Sequence, residues 1–174
     1  TAPPTSKVSK VGFPEKCYTL LHNLLTESAP FSDPKHYFHV AAKLAHPNKE
    51  VVCLYGDGAF GMTAFDMETA QRFGAPYLAV IGNNSAMNQI RYGQLAKYGE
   101  DRGDIGNKLG DVPFSKFGEM IGGYGEEVTE ASQIQPAMQR AREAIAKTGK
   151  CAVVNVWVDP NEYAPGTKAQ TMYK

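Results

Sequence analysis

Three short apolar runs, VVCLY (51–55), YLAVIG (77–82) and CAVVNVWV (151–158), constrain the fold more than any other feature of the chain. They are rich in β-branched and aromatic residues and hardly alternate with polar ones, as strands covered on both faces do. Each is expected as an inner strand of a parallel sheet. Parallel neighbours need long crossovers, and the intervening sequence offers helices for them. In MTAFDMETAQRFG, Ala64, Met67, Ala70 and Gln71 follow helical spacing, with Gly74 and Pro76 as a stop. In ASQIQPAMQRAREAIAK, from about Ala131 to Lys147, Ile134, Met138, Ala141 and Ile145 share one face and Gly149 closes the helix. PFSKFGEMIGGYG reads as a shorter helix carrying Phe114, Phe117 and Ile121. The expected fold class is α/β, a doubly wound parallel sheet with helices on both faces.

The rest of the chain is less regular. Residues 1–40 are expected as an irregular segment with one short helix in EKCYTLLHNLLTES, because APFSDPKHYFH is punctuated by prolines and has no clear period. Residues 41–160 form the α/β domain, and 161–174 a polar tail. A length of 174 residues suits one domain with its own core. Lysine plus arginine and aspartate plus glutamate both count 18, so no global field draws nucleic acid or an anionic membrane. The sequence has no apolar run of about 18 residues, and TAPPTSKVSK lacks the apolar core of a secretory signal. Cys17, Cys53 and Cys151 are odd in number and far apart, two of them inside apolar runs, which suits packing in a reducing compartment. A cytoplasmic protein is expected.

The stretch YGDGAFGMTAFDMETAQRFGAPYLAVIGNN places Gly56-Asp57-Gly58 at the end of one strand and Asn83-Asn84 at the end of the next. Ligands of open α/β sheets bind outside the carboxyl ends of the strands, so the two signals are expected to converge. Glycines let the backbone approach a ligand, and the amides opening the next helix suit a phosphate. Asp57 would repel a bare phosphate, and a magnesium ion resolves the conflict. Asp57, the side-chain oxygen of Asn84 and a nearby main-chain carbonyl would supply half of an octahedral shell, and a diphosphate would complete it. Gly56, Gly58 and Gly61 also fit the G-x-G-x-x-G dinucleotide pattern. That reading needs an acid about 20 residues on, and YLAVIGNN has none. Elsewhere, Glu68 reads as a solvated helix residue and Trp157 as core. His36 and His39 are a close histidine pair without a cysteine partner, which argues against zinc.

The Gly-Asp-Gly motif followed after 24 residues by Asn-Asn resembles the diphosphate and magnesium signature of thiamine diphosphate enzymes. The likeness runs from about Ala41 to Asp159, through AKLAHPNKEVVCLYGDGAF and on to FSKFGEMIGGYGEEVTEASQIQPAMQRA. It implies that Asp57 and Asn84 bind the metal by their side chains and Ala86 by its carbonyl, and that Gly58 and Ala59 give amides to the diphosphate. The small residues Ser85 and Ala86 stand where many members have glycine. Within the family, the chain is most similar to the C-terminal domain of 2-hydroxyacyl-CoA lyases and oxalyl-CoA decarboxylases, with acetolactate synthase next. Pyruvate decarboxylases carry a glutamate six residues after the second asparagine, where this chain has Ile90. The tail NEYAPGTKAQTMYK resembles the lid of acyl-CoA members, with Tyr163, Lys168 and Tyr173 as possible CoA contacts.

The resemblance implies thiamine diphosphate and Mg2+ as cofactors and a carbon–carbon lyase or carboligase. Its substrate would be an acyl-CoA or a 2-oxo or 2-hydroxy acid. The family's activating glutamate lies on a pyrimidine-binding domain that this sequence does not contain, and SDPKHYFHV stands where a glycine-rich segment usually precedes the motif. No catalytic residue is therefore assigned. That domain is expected either on a partner chain, within a dimer or tetramer, or in a longer enzyme of which this chain is a truncated or internally deleted version; a noncatalytic cofactor-binding or regulatory module is the alternative of another class.

Overall fold

A computed structural model of the chain describes residues 35–160. The elements run α1 (Lys35–Ala45), β1 (Val52–Gly56), α2 (Asp57–Thr63), α3 (Asp66–Arg72), β2 (Leu78–Asn83), α4 (Asn88–Tyr98), α5 (Glu100–Gly103), α6 (Ser115–Met120), β3 (Tyr124–Val128), α7 (Ala131–Thr148) and β4 (Ala152–Trp157). The four strands are all parallel, in the order β1-β2-β4-β3. The two central strands read LAVIGN and AVVNVW, the apolar composition that burial on both faces demands.

Successive side chains alternate between two apolar layers. Cys53, Tyr55, Ala79, Ile81, Cys151 and Val153 pack with Ala42 of α1, Phe60 of α2 and Met67 and Ala70 of α3, and Phe114, Phe117 and Ile121 border them. On the other face Leu78, Val80, Val128, Ala152 and Val154 meet Ala137, Met138 and Ala141 of α7. Helices thus lie on both faces, as the sequence leads one to expect. The α7 helix opens on a capping box between Glu130 and Gln133 and closes on Gly149 at φ 65°.

Four elements differ from the sequence reading. The helix expected across MTAFDMETAQRFG is two helices that meet at Ala64–Phe65, and the first begins at Asp57. The second ends in a Schellman motif: the amide of Ala75 donates to Ala70 O at 2.8 Å and that of Gly74 to Gln71 O at 3.1 Å. Helix α1 runs through residue 40, the expected limit of the irregular segment. The proline that suggested a break, Pro34, lies outside the described residues. Among the described residues β1 is an edge strand rather than an inner one, and Leu54 is 50 % exposed. The fourth strand, β3, lies where GGYG read as the end of a helix. Its glycines are steric necessities: a Cβ on Gly125 would sit 2.0 Å from Ser115 O, and one on Gly118 would sit 2.4 Å from Tyr124 O. Helix α6 lies so close to β3 that neither backbone tolerates a methyl.

The helix expected in EKCYTLLHNLLTES, Cys17 and the tail 161–174 lie outside the described residues. No helix among the described residues is long and apolar enough to cross a membrane. Cys53 and Cys151 are buried, and burial pushes the Cys151 thiol up to about 11. The native chain at pH 8 is therefore expected to leave both unmodified by iodoacetamide, and denaturation to expose both, as peptide mass mapping will read. Gly125→Ala is expected to lower unfolding stability by about 1–3 kcal/mol in urea titrations, through overpacking against α6.

Candidate functional site

The parallel register sets Gly56 opposite Gly82, so the turns that follow β1 and β2 leave the sheet side by side. Asp57 opens α2 there and is 3 % exposed. Its Oδ1 accepts the Gly58 amide at 2.7 Å. Its Oδ2 accepts the amides of Asn84 at 3.2 Å and Ala86 at 3.0 Å. One buried carboxylate thereby ties the two strand ends together. An ionised carboxylate offers about four lone-pair directions, so three amides leave one for a further partner.

The second turn is held from three sides. Asn83 Oδ1 accepts the Ser85 amide at 3.1 Å, and Ser85 Oγ donates to Asp111 Oδ1 at 2.5 Å. Ser85, at φ 55°, is the non-glycine residue with positive φ among those described. That conformation costs an L residue about 1–2 kcal/mol, which the surrounding bonds offset. Ala86 faces Lys108 in an isolated antiparallel bridge, made by Leu109 N to Ser85 O at 2.7 Å and Met87 N to Asn107 O at 2.8 Å. The Ala86 carbonyl takes part in neither bond.

Asn84 Oδ1 is buried and has no hydrogen-bond partner. Native proteins seldom leave such an acceptor unmet, since an orphaned polar atom costs about 1–3 kcal/mol. Asp57, Asn84 and Ala86, the residues expected to hold a metal, are brought together by direct hydrogen bonds. They offer a carboxylate, a carboxamide and a main-chain carbonyl, a hard oxygen set that fits magnesium. No cluster of three or more His, Cys, Asp or Glu with metal-binding potential occurs among the described residues.

The expected diphosphate donors lie next to this set. Gly58 and Ala59 belong to the first turn of α2, where amides lack intrahelical partners. In this structure Gly58 spends its amide on Asp57 Oδ1. Met87 and Leu109 close over Gly58: a Cβ there would lie 3.0 Å from Met87 Cγ. Sequence reasoning passed over both side chains, because a loop excursion from the far end of β2 brings them in. It also gave Asn83 no separate role. Gly61 is different: a Cβ would meet Phe114 no closer than 3.8 Å, so it lacks the close helix packing that the third glycine of a dinucleotide fingerprint provides.

The remaining candidates settle into the structure. Glu68 pairs with Arg72 at 3.2 Å on an exposed helix face. His39 is buried between the rings of Tyr55 and Tyr77, at centroid distances of 6.0 and 5.7 Å. Trp157 is half-buried and donates its indole N–H to Glu127 at 2.6 Å. Tyr163, Lys168 and Tyr173 lie outside the described residues.

Residues 38–156 match the family model of the thiamine pyrophosphate enzyme, C-terminal TPP binding domain. The chain belongs to this family. Its TPP-binding domain is 34 % identical over 128 residues to an acetolactate synthase large subunit of Mycobacterium tuberculosis, covering 74 % of this chain and 22 % of that protein. It is 28 % identical over 131 residues to 2-hydroxyacyl-CoA lyase 2 of Mus musculus, covering 75 % of this chain and 20 % of the relative. A sulfoacetaldehyde acetyltransferase of Alcaligenes xylosoxydans shares 29 % identity over 117 residues, 67 % of this chain and 19 % of the relative. The matched part thus spans about a fifth of these curated relatives.

Replacing Asp57 strips three amides of their acceptor at once. Asp57→Ala is expected to lower the stability of the ligand-free domain by about 2–3 kcal/mol, as urea unfolding will read.

Proposed function

We propose that this TPP-binding domain holds the diphosphate of thiamine diphosphate through a magnesium ion, as half of the active site of a carbon–carbon lyase or carboligase. The single observation that carries the reading is Asn84 Oδ1, a buried acceptor without a partner on the residue whose backbone amide binds the Asp57 carboxylate. Asp57, Asn84 Oδ1 and the Ala86 carbonyl would ligate the metal. The Ala59 amide would bind a phosphate oxygen, joined by the Gly58 amide once it exchanges Asp57 Oδ1 for that oxygen. When bound, thiamine diphosphate supplies the nucleophilic carbon and the electron sink for breaking or making a bond next to a carbonyl. This chain's share is to fix the diphosphate end, and Met87 and Leu109 would keep water from it.

The aminopyrimidine end needs a second domain, which we assign to a partner chain or to a longer polypeptide in a dimer or tetramer. The likeness to 2-hydroxyacyl-CoA lyase 2 supports a 2-hydroxyacyl-CoA substrate, with oxalyl-CoA resting on the sequence resemblance alone. The likeness to acetolactate synthase supports carboligation of 2-oxo acids as the second reading. The odd number of widely spaced cysteines, two of them buried in strands, supports a reducing, cytoplasmic setting.

Calorimetric titration of the domain with thiamine diphosphate, with and without magnesium, tests the proposal. Magnesium-dependent binding is expected in the wild type and its loss in Asn84→Ala. Because Asn84 Oδ1 makes no hydrogen bond here, that variant is expected to keep its ligand-free stability within about 0.5 kcal/mol. Binding that ignores magnesium, or survives in Asn84→Ala, would refute the metal assignment.

A further inference from the structure

A chain of hydrogen-bonded polar side chains, with the buried Asn83 and Asn155 at its middle, links β3, β4 and β2 to the 83–86 turn. It starts at Glu127 of β3, whose carboxylate accepts the Ser115 amide at 3.2 Å, Asn155 Nδ2 at 2.7 Å and Trp157 Nε1 at 2.6 Å. A carboxylate only accepts, so it dictates which way its neighbour points. Asn155 must turn its amino group to Glu127 and its oxygen away. That oxygen accepts Asn83 Nδ2 at 3.2 Å. Asn83 Nδ2 also donates to Val112 O at 2.8 Å, which leaves Asn83 Oδ1 facing the Ser85 amide at 3.1 Å. Asn83 and Asn155 are both fully buried, so neither has water as a substitute partner. The relay ends on Ser85, whose left-handed backbone lies between Asn84 and Ala86.

We infer that Glu127 is a positioning residue for the metal loop: through Asn155 and Asn83 it holds the Ser85 turn that aims Asn84 Oδ1 and the Ala86 carbonyl. The metal role of those two oxygens rests on the function proposed above; the mechanical link from Glu127 to Ser85 does not. The competing role for Glu127 is local, as an acceptor for the first amide of α6 and an anchor for Trp157. The two differ in where the effect of a substitution appears. The Val112 carbonyl orients Asn83 in the same sense, so removal of Glu127 loosens the turn without abolishing it.

Amide hydrogen exchange on the ligand-free domain reads the link directly. In Glu127→Ala, the Ser85 and Ala86 amides are expected to exchange about tenfold faster relative to the amides of β2, the loss of roughly one net hydrogen bond. Glu127→Gln keeps one carbonyl oxygen for Asn155 and Trp157, and is expected to restore Ser85 protection while the Ser115 amide stays fast. Trp157→Phe leaves the relay intact and is expected to change neither Ser85 nor Ala86. Wild-type protection at Ser85 in Glu127→Ala, or equal loss in the Gln and Ala variants, would overturn the inference. Should Glu127→Ala fail to fold, Asn155→Ala decides: it leaves Glu127 with Ser115 and Trp157, so faster exchange at Ser85 supports the relay and unchanged exchange refutes it. Titration with magnesium and thiamine diphosphate then adds the functional arm, with binding to Glu127→Ala expected to weaken about tenfold. A wild type that binds no cofactor would defeat the proposed function and leave the exchange result standing.

Discussion

The organisation of the carboxyl end of this sheet depends on one carboxylate. Asp57 is buried at the end of β1, and its oxygens meet amides from its own turn and from the turn after β2. A strand pair brings those turns near each other, but hydrogen-bonded β ladders say nothing about the backbone beyond the last pair. Asp57 supplies that information. Because its acceptors face inward, the chain after Asn83 must curl toward β1, and that curl places Asn84 beside α2.

The domain is divided in polarity between its faces and its end. Both faces of the sheet are apolar, and even the tyrosines buried there, Tyr55 and Tyr77, have phenols pushed well above their ordinary range by desolvation. The end is built from fully buried asparagines, Asn83 and Asn155, set late in otherwise apolar strands. Burying a carboxamide is unfavourable unless its donors and acceptors are met. Here they are met by one another and by Glu127, so the polar layer stands as a unit beneath the candidate site.

Much of this was legible in the sequence. The runs at 51–55, 77–82 and 151–158 declared strands because burial on both faces leaves no room for alternation. The α7 helix declared itself by its apolar spacing and Gly149. Asp57 and Asn84 stood out because both follow the carboxyl ends of successive strands, where open α/β sheets bind their ligands. What stayed hidden was tertiary. Gly118 and Gly125 are demanded by the approach of α6 to β3, and without that contact both read as part of one short helix. The link from Glu127 to Asn155 spans 28 positions and that from Asn83 to Asn155 spans 72, beyond any local pattern. Helix α1 was obscured by prolines upstream, which are breakers inside a helix and neutral at its start.

The excursion from Asn84 to Val112 differs from everything around it. Helix α4 has no buried residue, and the unit is fastened by polar clasps: Arg91 and Lys108 on Asp104, the short bridge at Ala86, and Asn88 and Tyr92 on the carbonyl of Pro160. No residue of this segment belongs to either apolar cluster among the described residues, so it draws almost no stability from the hydrophobic core. Segments with few buried apolar contacts are the ones in which local opening costs least. Met87 and Leu109, the lining above Gly58, therefore rest on a segment fastened by polar bonds and not on the sheet's apolar core.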